Sequence, residues 1–391
     1  MSRLNELISS LCPRGVEFKT LGEVATIERG RRVTRKELPT DGKFFVFQNS
    51  LEPLGRIDRY NYSCNTVFVI GAGAAGEVGY SFDNFWAADD CYPIVCGDNL
   101  DSRYIYHFLL SKQSYIISKV RKASVPRLSR QVIENIIIPL PPLEVQQEIV
   151  NILDKFTKLE AELEAELEAR KKQYEFYRDR LLTFGPEVKT ATLGDVIFSL
   201  NTGLNPRKFF KLNTDDAENY YITIREIQNG QIIPTDRTDR INDEALRLCN
   251  NRSNLEAGDV LFSGTGTIGE TAVINETPAN WNIKEGIYTI KPNPKYLNSK
   301  FLRYLLTTQA MKNKYMKKAA GGTVKSVPMQ EVRNLTIPLP PLEVQQKIVD
   351  VLDKFNSLCS DLTAGLPAEI NARRRQYEYY RDKLLSFEDV S

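Results

Sequence analysis

Two blocks of this chain are each written twice, and the duplication constrains the fold more than any other feature. IPLPPLEVQQEIVNILDKF at Ile138–Phe156 returns as IPLPPLEVQQKIVDVLDKF at Ile337–Phe355, 199 residues later. RKKQYEFYRDRLLTF at Arg170–Phe184 returns as RRRQYEYYRDKLLSF at Arg373–Phe387, 203 residues later. Weaker echoes precede each block: TLGEV at Thr20–Val24 and TLGDV at Thr192–Val196, then GAGAAGE at Gly71 and GTGTIGE at Gly264. A fixed internal period decides architecture before local propensity does. The 391-residue chain is a unit repeated, each copy a divergent globular part followed by a nearly identical helical part.

The globular parts run over 1–142 and 186–341, the helical parts over 143–185 and 342–391. Strand-like runs at Phe44–Gln48, Val67–Ile70, Tyr220–Ile224 and Asp259–Phe262 alternate with Gly, Asn, Asp and Pro punctuation. Helical patterns at Tyr104–Val120 and Ser299–Lys317 close each globular part. Pro-Leu-Pro-Pro at Pro139–Pro142 and Pro338–Pro341 cannot be helix interior, because proline lacks the N–H and clashes with the preceding turn. It predicts an extended connector whose last proline stands at a helix start.

The first helical part carries one apolar stripe: Ile149, Leu153, Phe156, Leu163, Leu167, Tyr174, Tyr177 and Leu181. The second carries Ile348, Leu352, Phe355, Leu358 and Leu362, then Ile370, Tyr377, Tyr380 and Leu384. One stripe each predicts two long helices packed antiparallel within the chain; an intermolecular coiled coil satisfies the same stripes. The copies differ at their centres. TKLEAELEAELEA, 13 residues of good helix formers, predicts continuous helix, whereas NSLCSDLTAGLPAEINA, 17 residues, predicts a break near Gly365 and a restart with Pro367 in the first turn. The fold class is α+β: two mixed α/β domains joined by two long antiparallel helices.

Several function classes fall away. Six scattered cysteines without a CxxC pair fit a reducing cytoplasm better than a disulfide framework. The single histidine, His107, lies in the apolar pattern YIYHFLL and reads as a packed residue, so His-based metal sites and nucleophile triads are excluded. No apolar run nears the roughly 20 residues that span a bilayer, and the start MSRLNELISSLCPRGVEF lacks a signal-peptide core. No GxxxxGK[ST] loop is present, nor the Asn/Asp-Pro-Pro-aromatic motif of an adenine methyltransferase. TVFVIGAGAAGEVGY at Thr66–Tyr80 imitates a dinucleotide fingerprint. That site needs a helix to begin at the glycines; EVGYSFDNFWAADD has no helical stripe, and the second copy, GTGTIGETAVINETP, alternates as a strand does. A tight turn between two strands is expected in each copy. A Rossmann oxidoreductase and a coiled-coil adaptor without nucleic-acid binding stand as the alternatives.

The two P-L-P-P-L-x-x-Q-Q segments and two Q-Y-E-[FY]-Y-R-D-[KR]-L-L segments, in this order, resemble the specificity subunit of type I restriction–modification systems, over essentially the whole chain. The resemblance implies that 1–142 and 186–341 are target-recognition domains, and that 143–185 and 342–391 are the central and distal conserved helical regions. It implies a non-catalytic subunit whose domains each read one half of a bipartite double-stranded DNA site, the helices setting the spacing. Two methyltransferase subunits, with or without two restriction subunits, would be its partners. S-adenosylmethionine and ATP would bind on those partners, and no cofactor, metal or catalytic residue is expected in this chain.

The formal net charge is only +2, so any DNA-facing surface must be local. In the first globular part ERGRRVTRKEL gathers Arg29, Arg31, Arg32, Arg35 and Lys36 in a loop, and VRKASVPRLSR gathers Arg121, Lys122, Arg127 and Arg130. In the second, the corresponding places hold Arg207, Lys208 and Lys211, then Lys312, Lys314, Lys317, Lys318 and Lys325. Such cations anchor phosphates, and arginine also forks onto guanine. Gln48, Asn49, Asn201, Asn205 and Gln228 can pair with adenine or simply close turns.

Overall fold

A computed structural model describes residues 2–322, 324–360 and 365–389, without the side chains of Ser2, Arg207, Lys208, Cys359 and Ser360. The chain forms two compact units. One comprises Met1–Glu164 with Glu369–Ser391, the other Ala165–Ala368.

The first unit holds an antiparallel sheet in the order Ala25–Ile27, Cys91–Cys96, Thr66–Ile70, Val78–Ser81. A three-stranded sheet follows the order Gly55–Ile57, Phe44–Phe47, Phe85–Ala87, its last pair parallel. The second unit repeats this topology strand for strand. Its larger sheet runs Ile197–Thr202, Ile287–Pro292, Val260–Ser263, Thr271–Val273. Its smaller sheet runs Arg240–Ile241, Asn219–Ile222, Trp281–Ile283, again with a parallel last pair. The duplication read in the sequence is therefore a duplication of fold.

The unbroken apolar run of Thr66–Ile70 has a direct cause. Side chains alternate across a strand, and both faces of this one are covered. Val67 and Val69 join the core built on the helix Ser102–Ser111. Phe68 and Ile70 join Phe85 and Ala87 of the smaller sheet. In the second unit Val260 and Phe262 take the first role and Leu261 the second.

Two expectations are corrected. The helical pattern Tyr104–Val120 is two helices, Ser102–Ser111 and Gln113–Ser118. Its counterpart is likewise Ser299–Thr307 and Gln309–Met316. In the second case Thr308 stops one helix and starts the next, its hydroxyl accepting from the Met311 N–H, a capping geometry that competes with helix continuation. The proline segment is more than a connector. Ile137–Leu140 pairs with Glu17–Thr20, Pro139 opposite Phe18, and Thr336–Pro338 pairs with Thr190–Thr192. Proline is tolerated because each ladder has only two strands, leaving an edge where no N–H is required.

The central helix is continuous over Leu143–Leu181. The distal region is two helices, Leu342–Ser360 and Leu366–Leu384, with Pro367 in the first turn of the second, as expected. Leu362 lies outside the described residues. Within the first unit Phe156 stacks on Tyr380 at 5.4 Å. Arg374 bonds Glu160 at 2.7 Å and Glu164 at 3.2 Å. The partners run in opposite sequence order, so the pairing is antiparallel and internal to the chain. In the second unit Tyr177 meets Phe355 at 5.9 Å.

A buried glutamine fastens each globular part to its helix. The Gln146 amide donates to the carbonyls of Asn99 at 3.0 Å and Pro141 at 2.8 Å and accepts from the Asp101 N–H at 2.8 Å. Gln345 repeats this with Tyr296, Pro340 and Asn298, each at 2.8 Å. Both are fully buried, and all their side-chain partners here are backbone groups.

The lone histidine belongs to the same joint. His107 is fully buried, with Nε2 at 2.8 Å from Asp154 and Nδ1 at 2.9 Å from the Tyr377 hydroxyl. Nε2–H donates to the carboxylate and the tyrosine donates to Nδ1, which fixes a neutral tautomer. Burial, outweighing the Asp154 hydrogen bond, holds its pKa below the ordinary value. The folded form therefore binds a proton less readily than the unfolded one, so this stabilisation is complete above about pH 6.5 and is lost as pH falls below it. Tyr304 takes the histidine's place in the second unit, donating to Asp353 at 2.6 Å. Hydrogen exchange is expected to show residues 102–111 losing protection between pH 7 and 5.5 relative to 299–307. Equal behaviour of the two helices would refute it.

Candidate nucleic-acid interface

The glycine-rich turns and the second basic clusters, distant in sequence, meet in both units. Gly71–Gly76 joins Thr66–Ile70 to Val78–Ser81, and no helix begins there. Val120–Leu128 folds back on itself through the pair Arg121–Arg127. This hairpin is fastened to the turn: the Gly73 N–H donates to Pro126 O at 3.1 Å, and the Leu128 N–H to Gly71 O at 2.8 Å. In the second unit the hairpin closes through Ala320–Ser326. The Gly266 N–H donates to Lys325 O at 2.9 Å, and the Val327 N–H to Gly264 O at 2.8 Å.

Glycine is required here for space as well as torsion. A Cβ on Gly71 would stand 2.5 Å from the Tyr92 ring, and one on Gly264 2.2 Å from the Tyr288 ring. Both tyrosines reach past the glycine to hold the hairpin, Tyr92 donating to Leu128 O at 3.3 Å and Tyr288 to Val327 O at 2.7 Å. Gly73 and Gly266 adopt φ of 83° and 80°, open to glycine without cost. The apparent cofactor fingerprint is a seat for a hairpin, built twice.

The first unit's other cluster lies in a loop, as expected, after Ala25–Ile27. Its backbone is held by the Arg31 N–H donating to Ala87 O at 2.9 Å and by the Trp86 indole N–H donating to Arg31 O at 2.8 Å. Arg29 Nε donates to Asp89 O at 2.8 Å. Arg29 and Arg31 line a cleft of about 520 Å³ together with Arg130, Tyr60, Tyr62 and Trp86, so one residue of the second cluster meets the first. Tyr62 donates to Glu28 at 2.6 Å, and burial followed by that carboxylate pushes its phenol far up, leaving a permanent donor. Arg29, Arg31, Arg32, Arg35, Lys36, Arg121, Lys122 and Arg127 are exposed, and among the described residues no carboxylate pairs with them. Arg130 differs, pairing with Glu134 at 2.9 Å.

The second unit does not place its charges at equivalent points, contrary to the sequence reading. The hairpin bridges set Arg121, Lys122 and Arg127 opposite Ala320, Gly321 and Ser326. Lys325 is the one cation on this hairpin and stands where the first has Pro126. Lys312 and Lys314 lie on the preceding helix Gln309–Met316, with Lys317 and Lys318 just after it. Lys314 donates to Thr336 O at 3.1 Å, and Lys318 pairs with Glu331 at 3.3 Å. Lys211, Lys317 and Lys325 are exposed. Arg207 and Lys208 carry side chains outside the described residues. Asn49 sits beside the glycine seat, its carbonyl accepting from the Ala74 N–H at 2.9 Å. Gln228 closes its own turn by donating to Arg225 O at 2.9 Å.

Among the described residues no cluster of His, Cys, Asp and Glu is arranged to hold a metal, and no helix is long and apolar enough to cross a membrane. Sequence reasoning missed Gln146 and Gln345, although the doubled Gln-Gln marked them. It also missed Tyr60, Tyr62 and Trp86, which share no motif.

The chain is similar to known proteins over nearly its full length. The family model of the type I restriction modification DNA specificity domain matches residues 13–169 and 186–372. The EcoR124I/EcoR124II specificity subunit of Escherichia coli is 31% identical, the match covering 99% of this chain and 97% of that protein. The crystal structure of an S subunit from M. genitalium superposes with a TM-score of 0.57 at 17% identity, covering 95% of this chain and 96% of that one. A chain from a structure addressing complex assembly and conformational transition of the type I restriction–modification system gives 0.60 at 19% identity, covering 95% and 97%. With both matched segments falling on the two repeats of fold, this chain belongs to the specificity subunits of type I restriction–modification systems.

Proposed function

We propose that this subunit is non-catalytic and that each globular part reads one half of a bipartite double-stranded DNA site. The observation that carries this reading is the glycine seat and its hairpin, built identically in two otherwise divergent bodies and flanked by unpaired cations. Phosphate anchors of this kind fix register on a duplex, and side chains between them reach base edges. Arg31, Arg32, Arg121, Lys122 and Arg127 serve the first half-site; Lys211, Lys317 and Lys325, with Arg207 and Lys208, serve the second. The helices set the distance between half-sites and dock two methyltransferase subunits, which bind S-adenosylmethionine and modify adenine, with or without restriction subunits that use ATP.

The test is a binding isotherm of the complex on its cognate duplex across salt concentrations. Replacing Arg31 and Arg32 with alanine is expected to lower affinity and to reduce the slope of log K against log salt by about 1.8, two phosphate contacts at about 0.9 each. An unchanged slope would take this loop out of the interface.

A further inference from the structure

One carboxylate stands in the cleft that Arg29, Arg31 and Arg130 line in the first unit. It belongs to Glu28, an exposed residue just after the strand Ala25–Ile27. Its backbone is held, the N–H donating to Pro93 O at 2.9 Å. Its side chain is held too, Oε2 accepting from the Tyr62 hydroxyl at 2.6 Å. Tyr62 is itself fixed: its N–H donates to Phe85 O at 3.2 Å, its carbonyl accepts from the Phe85 N–H at 3.0 Å, and the two rings meet at 5.8 Å. Among the described residues Tyr62 is the one side chain that bonds this carboxylate, although three arginines share the cleft. The repeat shows that the fold does not require an acid here. The Gly30 N–H donates to Cys91 O at 3.0 Å and the Gly203 N–H to Ile287 O at 3.4 Å. Cys91 and Ile287 open matching strands, so Gly30 and Gly203 correspond. Two residues earlier stand Glu28 and Asn201; one residue later stand Arg31 and Leu204.

We propose that Glu28 reads a cytosine of the first half-site in the major groove, its carboxylate accepting from the cytosine N4 amino group. The inference rests on the DNA reading proposed above and names one base of it. A carboxylate in a cleft whose arginines face phosphates is repelled by the DNA backbone. It suits a DNA-binding surface only where a base supplies a donor. The major groove offers two such donors, cytosine N4 and adenine N6. Adenine sets its N7 acceptor beside N6, against a carboxylate that can only accept. Cytosine has no such neighbour, and its paired guanine offers O6 and N7 to the arginines of the same cleft. Tyr62 is a positioning residue: its hydroxyl takes one carboxylate oxygen and leaves the other for the base. In the second unit Asn201 brings an amide to this place, which suits adenine, so the two units ask for different bases.

The experiment selects bound duplexes from a pool randomised in both half-sites, using the full chain assembled with its methyltransferase subunits. The wild-type complex is expected to fix a C·G pair in one half. Glu28→Gln is expected to move that position to A·T, because an amide matches adenine N6 and N7. Glu28→Ala is expected to make the position degenerate, a loss of roughly tenfold or more in discrimination. Tyr62→Phe is expected to blunt the preference several-fold there, with every other position and the salt slope unchanged. Unaltered base preference in both Glu28 variants overturns the inference and leaves the reading of DNA intact, as does a wild-type site with no C·G pair in either half. A Glu28→Gln complex that loses preference at several positions at once also overturns it, since that marks a structural role. A wild-type complex that selects no sequence overturns both.

Discussion

A chain lacking Leu163–Glu166 is expected to direct methylation to the same two half-sequences separated by a gap one to two base pairs shorter. Four residues are about 6 Å of helix and about 400° of rotation, a net change near 40°, against 3.4 Å per base pair. The deletion falls where the chain passes from one unit to the other, between Glu164 and Ala165. It removes little core, because within the segment only Leu163 is half-buried. The tract also repairs itself. Arg170 pairs with Glu166 one turn earlier, and after deletion Glu162 occupies that place. Glu160 keeps its bond to Arg374. Methylome sequencing decides the matter: an unchanged gap with methylation intact would refute the helix as the spacer.

The second large effect concerns the unequal hairpins. Replacing Arg121, Lys122 and Arg127 together with alanine is expected to lower the salt slope by about 2.7 and affinity at 0.1 M salt by roughly 10²–10³-fold. Lys325→Ala, on the matching hairpin, is expected to lower the slope by only about 0.9. An unchanged slope in both variants would show that the hairpins do not touch phosphates, and equal losses would refute the asymmetry. The asymmetry is invisible in total charge, since the second unit carries its lysines on and just after the helix Gln309–Met316 instead.

What the sequence made legible was whatever a local pattern or the repeat encodes. The strand at Thr66–Ile70, the unbroken helix through the LEAE tract and the helix start at Leu366 with Pro367 in its first turn all follow from residue type within a few positions. What remained hidden depends on distant pairing. Nothing near Arg127 announces that its hairpin rests on Gly71, and only that contact fixes the register that aligns it with Ser326. The apparent equivalence of the basic clusters failed for this reason, because proximity in sequence was read as identity of position. Thr308 broke a helix whose apolar periodicity continued through it, since its capping bond wins over pattern; the break at Lys112 has no side-chain cap. The cleft of Arg29, Arg31 and Arg130 unites residues about a hundred positions apart and had no sequence signal.

The glutamine joint has a consequence for how such a chain changes. Gln146 and Gln345 grip carbonyls and an N–H of the main chain, never a side chain of the body they hold. A coupling that recognises only backbone is indifferent to what is plugged into it. These glutamine bonds leave the side chains of each globular part free to diverge, whereas the helix that carries His107 or Tyr304 is tied to the frame by side chains, through Asp154 and Asp353.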